Sequence, residues 1–425
     1  MPTDDARPNR AARGAPSARR GPGGVSAPAG GAAARWAASG AQALTGDAGG
    51  PGLVAPAGVV TRIEALGRAA GVDGLALLGE RAAIAGLTRR GATSCGGATR
   101  LLAAADGWLA VSLARPDDED LVPAWLGLAA APPDPWAAVT AAAAGSPAAD
   151  LVGSARLLGL PVARVGETAD VGREGVMATT VGEAPPPGRP PLVVDLSSLW
   201  AGPLCAHLLG LQGARVVKVE STGRPDGARR GPAAFFDLLH AGHRAVALDL
   251  RDPAGSACLR RLLAAADVVV EGSRPRALRQ LGIEAEAILA ADPGPRVWVA
   301  ITGHGRDGAG ADRVAFGDDA AAAGGLVAWG SDGRPRFVAD AVADPLAGMA
   351  AAGAAARLLA AGGRHLIDVA LARVAAAVAG DDAGALWPAA DGGEAAAPAA
   401  RAAAGRAPGL GADTAAVVAE LTAGC

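Results

Sequence analysis

The stretch VVDLSSLWAGPLCAHLLGLQGARVVKVE, residues 193–220, decides the fold. It opens with a buried apolar run that stops at a polar turn, SSLWAGP. The following residues repeat apolar side chains at helical spacing and close on Gly213. RVVKVE then resumes an extended, β-branched run. A strand, a helix and a second strand in so few residues form a βαβ unit.

The same alternation continues outward. RAVALDL is a third strand, and DPAGSACLRRLLAAAD begins a helix capped by Asp252 with Pro253 at its first position. VVVEG is a fourth strand, residues 275–291 are helical, and RVWVAIT is a fifth strand. The fold class is therefore α/β, a Rossmann-like parallel sheet with a second, smaller α/β domain. Ligands bind such sheets at the carboxyl ends of the strands, here residues 197–200, 220–224, 271–274 and 302–306.

Residues 1–34, rich in Arg, Gly, Pro and Ala, read as a disordered tail. Residues 35–184 read as the smaller domain, with a helix in LALLGERAAIAGL and a strand in GWLAVSLA. Residues 185–190 are a Pro-rich linker, 191–383 the Rossmann-like domain, and 384–425 an Ala- and Gly-rich C-terminal tail.

Composition narrows the function classes. The chain has 425 residues, no tyrosine, and Lys218 as its one lysine among arginines. A net charge of −3 with balanced signs gives no footprint for nucleic acid or an anionic membrane. Cys95, Cys205, Cys258 and Cys425 are far apart, which argues against zinc ribbons and disulfide frameworks and for a reducing cytoplasm. The basic start has no apolar run behind it, so it does not read as a secretory signal. No stretch is long and apolar enough to span a bilayer. His207, His240, His243, His304 and His365 show no metal-ligand spacing, so no metal is expected.

VAITGHGRDG, residues 299–308, places Gly303, Gly305 and Gly308 in the G-x-G-x-x-G spacing after a strand. A dinucleotide fingerprint also needs a helix directly behind it, and AGADRVAFGDD has no apolar face. The motif follows the fifth strand rather than the first. A nicotinamide-dependent reductase is thus the weakest of the readings. A loop that lets backbone approach a ligand closely fits better.

Taken together, residues 193–220, HRAVALDLRDPAG, ADVVVEGSRPRALRQLGI, ITGHGRDGAGADR, DPLAGMAAAGAAARLL and RHLIDVALARV resemble the class III CoA-transferases, the CaiB/BaiF family, in family order from Leu192 to about Val374. Asp195, residues 201–203, Gly213, Ala214 and VVKVE carry the resemblance, with Arg215 in place of the usual Asp. WAASGAQALTG, CGGATRLLAAADGWLAVSLA and ARLLGLPVARV are similar to segments of the family's later half. The halves therefore look permuted, or are two fused partial modules.

The resemblance implies transfer of CoA from an acyl-CoA thioester to a carboxylic acid through an aspartyl anhydride, in a cytoplasmic homodimer. Coenzyme A is then substrate and product, and no metal takes part. The implied nucleophile is Asp332, in GGLVAWGSDGRPRF before Gly333 and Pro335, with Asp47 as a rival. Gly96 and Gly97 resemble the glycine loop over the reacting Asp. The implied CoA-binding residues are Trp200, Ala201, Ser221, Arg224, Leu239, His240, Gly242, Gly272, Ser273, Arg274, Thr302, Gly303, His304 and Arg306. Arg224, Arg274 and Arg306 supply guanidinium forks for phosphate. Ser221 stands where the family often has Arg, and Thr302 where it can have Lys. The family's racemases use a His-Asp pair that falls here on Phe316 and Gly317, although a further racemase-type Asp has a counterpart in Asp344. Transfer is favoured over racemisation and over a non-catalytic CoA-binding paralogue.

Overall fold

Two antiparallel turns of chain make the smaller sheet. β1 (Thr99–Ala104) and β2 (Gly107–Ser112) join through Ala105 and Asp106, and β3 (Val162–Arg164) pairs with β2. Gly107, the first residue of β2, pairs with Ala104 at a φ of 155°. Helices Pro135–Gly145 and Ala148–Leu158 cover the sheet around Leu109, Val111, Trp125, Val139 and Leu151. The structure is a computed structural model and describes residues 30–168, 174–273, 275–391 and 395–423. The expected tail up to residue 29, Arg274 and Cys425 lie outside the described residues.

The larger sheet has seven strands: β4 (Val176–Gly182), β5 (Leu192–Asp195), β6 (Arg215–Ser221), β7 (Arg244–Leu248), β8 (Val268–Glu271), β9 (Val297–Thr302) and, after a short hairpin of β10 (Ala328–Trp329) and β11 (Pro335–Arg336), β12 (Arg364–Ala370). Their order is β4-β12-β9-β8-β5-β6-β7, parallel throughout except for β4, which runs antiparallel to β12. The five strands expected from residues 192–302 are all present. The order reverses beside β5, so the crevice at the carboxyl ends of β5 and β8 is the place for a ligand.

Residues 35–184 do not form one smaller domain. Only residues from about 99 to 165 build a separate core. Trp36, Val59, Val60, Ile63 and Leu78 join the core of the larger sheet, together with Leu204, Leu346 and Met349. Helix Ala57–Ala70 lies so close to helix Ala343–Ala361 that a side chain at Gly353 would meet the Ala69 backbone at 3.1 Å. The linker 185–190 runs from β4 to β5 within one sheet and marks no border between cores. Buried Asp267 fixes its end by accepting bonds from Arg189 (2.8 Å), the Leu192 N–H (2.8 Å) and Arg296 (2.6 Å).

The expected C-terminal tail is also packed. Trp387 is buried edge-on to Trp36, with ring centroids 5.9 Å apart. Helix Thr414–Ala423 lies against β7, where Asp413 accepts from the Ala245 N–H at 2.8 Å and Val417 is buried. At the other end, the chain is already helical from Ala32.

Candidate active site

The first turn is built over buried charge. Asp195, at the end of β5, accepts from the Ser197 N–H at 2.8 Å and from the Ser197 hydroxyl. Lys218 of β6 is fully buried, and its Nζ donates to the Ser197 carbonyl at 2.5 Å and pairs with Asp226 at 3.0 Å. Burial alone would discharge this lysine, but Asp195 and Asp226 outweigh it and hold its pKa above the ordinary value. Lys218 is thus part of the scaffold. It locks the turn that sets Trp200 at the start of helix Ala201–Leu211.

Gly202 explains the Ala-Gly-Pro of this turn, because a side chain there would collide with Ser197. A helical glycine normally gains stability on change to alanine. Gly202→Ala is expected to do the opposite and cost about 1–3 kcal/mol in denaturant titration. An unchanged or raised midpoint would show that the turn tolerates the extra carbon.

Trp200 is buried against Phe235, edge-on at 5.3 Å, and the Arg81 guanidinium stands 5.4 Å from its ring centre. Arg81 comes from helix Glu80–Ala85, in the region before the linker. It grips Asp340 with both edges of its fork, Nε to Oδ2 at 2.7 Å and Nη2 to Oδ1 at 2.6 Å. Asp340 is fully buried between Ala339 and Ala341, two alanines with φ of 49° and 44°. Such left-handed alanines persist only where their surroundings hold them. Here the Ala339 N–H donates to Thr45 at 3.0 Å, its carbonyl accepts from the Cys95 thiol at 3.2 Å, and the Ala341 N–H donates to Asp318 at 3.0 Å.

Asp344 opens helix Ala343–Ala361 beside this loop, close to the Gly317 backbone. A side chain at Gly317 would collide with its Oδ2. Burial pushes Asp344 up to about 7; Arg81 pulls it down and Asp340 pushes it further up. Asp318 is also raised to about 7, by burial and then by Asp340. Asp318, Asp319 and Asp340 are buried, whereas Asp344 is only half-buried. Gly96 lies next to Arg81, which brings the expected glycine loop to the same place. The Cys95 thiol is driven up by burial and is a neutral donor rather than a nucleophile.

Asp332 stands elsewhere, on the exposed turn of the β10–β11 hairpin. Arg336 holds it at 2.5 Å and 2.9 Å, which drives its pKa far below the carboxylate range, and the same guanidinium takes Asp47 at 2.8 Å. A carboxylate so stabilised is a weak base.

The expected cofactor residues divide. Trp200 and Ala201 sit at the site, and Gly272 packs beside Ser197, where its added carbon would stand 3.4 Å away. Ser273 and Ser221 are half-buried, and Arg224 and Gly242 are exposed at strand ends and turns. Leu239 and His240 are both buried, 1% exposed each, with His240 against Phe236 at 4.3 Å. Thr302 and Gly303 serve the loop itself, the first accepting from the Gly305 N–H at 2.9 Å and the second packing on Ala315. No α-helix follows this loop directly; a short 3-10 turn, Gly308–Gly310, takes its place. His304 is pushed down to about 3 by burial and Arg313, and Arg306 turns to Glu286 at 2.5 Å. Among the described residues, no group of three or more His, Cys, Asp or Glu could hold a metal ion. No helix among them is long and apolar enough to cross a membrane.

The profile of CoA-transferase family III matches residues 191–408, just over half of the chain. The chain belongs to CoA-transferase family III. It is 32% identical over 169 residues to the succinyl-CoA–D-citramalate CoA-transferase of Chloroflexus aurantiacus, covering 38% of this chain and 42% of that protein. It is 31% identical over 183 residues to the succinate–glutarate CoA-transferase of Agrobacterium fabrum, covering 39% and 46%. The crystal structure of a CaiB/BaiF family protein from Brucella suis aligns at 29% identity with a TM-score of 0.42, over 47% of this chain and 56% of that one. The chain thus spans less than half the length of these two curated relatives.

Proposed function

We propose that this family member transfers CoA from an acyl-CoA thioester to a carboxylic acid, and that Asp344 rather than Asp332 carries the acyl group. The observation that supports this is the half-buried Asp344 carboxylate beside the Gly317 backbone and the Arg81–Trp200 pair. A carboxylate stripped of part of its water shell attacks the thioester carbonyl carbon, and the C–S bond breaks as the CoA thiolate leaves with its electron pair. The product is an anhydride between Asp344 and the acyl group. The thiolate then attacks the Asp344 carbonyl and expels the donor acid. The oxyanion of that step forms on an Asp344 oxygen, next to the Gly317 backbone. An acceptor carboxylate reverses the sequence and leaves as the new thioester, with no net proton consumed.

The reading extends to a soluble homodimer and to CoA lying across the carboxyl ends of β5, β6 and β8, past Gly272, Ser273 and exposed Arg224. A permuted order of halves agrees with the way Arg81, from before the linker, reaches Asp340 behind it. Hydroxylamine added during turnover is expected to convert Asp344 to its hydroxamate, seen by peptide mass spectrometry. A hydroxamate on Asp332 instead, or on no Asp at all, would remove Asp344 from the mechanism.

A further inference from the structure

We propose that Arg401 is a positioning residue for the transfer reaction: it anchors a C-terminal strap to Glu80 and thereby holds Arg81 in place against Asp340 and Asp344. The inference rests on the role given to Asp344 above. Residues 396–408 run between the two parts of the chain. On the side before the linker, the Ala396 N–H donates to the Ala37 carbonyl at 3.0 Å, and an added carbon at Gly79 would stand 3.2 Å from Pro398. On the other side, the Ala407 N–H donates to Asp237 at 2.8 Å, and the Pro408 carbonyl accepts from Arg229 at 3.3 Å. Arg401 is the one charged residue between Ala395 and Gly405. Its Nε donates to Glu80 Oε1 at 2.5 Å, its Nη2 to Oε2 at 3.0 Å, and its backbone N–H to Oε1 at 3.2 Å. Glu80 is buried, so this is a bidentate pair with little water around the carboxylate.

Glu80 and Arg81 are consecutive in a helix of six residues, so their side chains leave it about 100° apart. The first takes the strap and the second takes Asp340. A helix this short does not hold itself in water and owes its place to such contacts. Without Arg401 the Glu80 carboxylate would be buried and unpaired, and the first turn would have to shift to bring it to water. Arg81, one residue on, shifts with it. The charged and titratable groups around Asp344 are Arg81 from this helix, Asp340 from the left-handed loop, and Asp318 and Asp319 from helix Gly317–Ala323. Arg81 is the cation among them, so its placement sets the charge that the reacting carboxylate feels. His207 meets Arg401 from helix Ala201–Leu211, Nε2 to Nη1 at 3.4 Å. Burial and then the guanidinium hold it down to about 4, so it stays neutral over the range in which Asp344 titrates.

The test uses the full chain and two readouts. Arg401→Gln is expected to lower CoA exchange at pH 7 about tenfold and to move the rising limb of the pH–rate profile to higher pH. Arg401→Lys keeps a cation for Glu80 and should recover most of the rate and return the limb. Should the single variant fail to fold, Glu80→Gln with Arg401→Gln leaves no buried charge unpaired, and its limb should still be displaced. The second readout needs no turnover. Hydrogen exchange of the amides in residues 337–343, where the Ala339 and Ala341 N–H groups are bonded, should be about tenfold faster in Arg401→Gln, with residues 107–112 of the smaller sheet unchanged. A loss of rate that is equal at every pH, or unchanged amide exchange in residues 337–343, would overturn the role of Arg401. A wild type that exchanges no CoA at any pH would overturn the transfer reading instead, and the amide exchange would still decide whether Arg401 holds the loop.

Discussion

Asp344→Asn is expected to abolish CoA exchange, with a loss of at least about ten-thousand-fold, the scale on which removal of a covalent nucleophile acts. Asp332→Asn is expected to stay within about twofold, because its exposed carboxylate serves the Arg336 pair and the Arg334 N–H of the hairpin turn. Stability separates loss of chemistry from loss of fold. Asp344 titrates near 7 in the folded protein against an ordinary value of 3.8. Between those limits the folded chain holds a proton that the unfolded chain has released, so stability falls as pH rises. Asparagine carries no such proton. The variant should therefore melt at or above the wild type at pH 8, with an advantage that shrinks toward pH 4. An inactive variant that also melts well below the wild type at pH 8 would assign Asp344 to structure instead.

The second large effect belongs to Arg81. Its charge lowers the pKa of Asp344, while Asp340 raises it. Arg81→Met is expected to move the rising limb of the pH–rate profile, set near 7 in the wild type, to higher pH, and to cut the rate at neutral pH about a hundredfold. The change also leaves Asp340 buried and unpaired, a loss of about 3–5 kcal/mol. The double variant Arg81→Met with Asp340→Asn removes both influences. Its limb should return toward that of the wild type and its stability should recover in part. A single variant that loses rate equally at every pH would mean that Arg81 acts only by holding the loop of Ala339 and Ala341 in place.

Much of the larger sheet can be read locally. Residues 192–302 announce five strands because each is a short β-branched run between a helix end and a polar turn. β4 carries no such signal. Its VMATTVG is an edge strand whose middle residues are exposed, so no apolar pattern marks it, and the prolines behind it suggest a border. The tail after residue 384 misleads by composition, since alanine, glycine and proline mark both loose chain and chain laid flat on a core. Trp200, Ala201 and Asp332 are singled out by family resemblance, since an Asp-Gly pair by itself is an ordinary turn. Asp344 shows in the sequence only as the counterpart of a racemase-type Asp, not as a nucleophile. Arg81 has no sequence signal at all, because its partner Asp340 is 259 residues away.

That separation bears on how the protein comes to exist. Helix Ala57–Ala70 leaves the ribosome long before helix Ala343–Ala361, the element against which its apolar side rests. At ordinary speeds of synthesis the wait is on the order of half a minute. Through that interval the helix of Val59, Val60 and Ile63 lacks this partner, and the nascent chain is a natural client for chaperones. The contact between these two helices is among the last that the growing polypeptide can close.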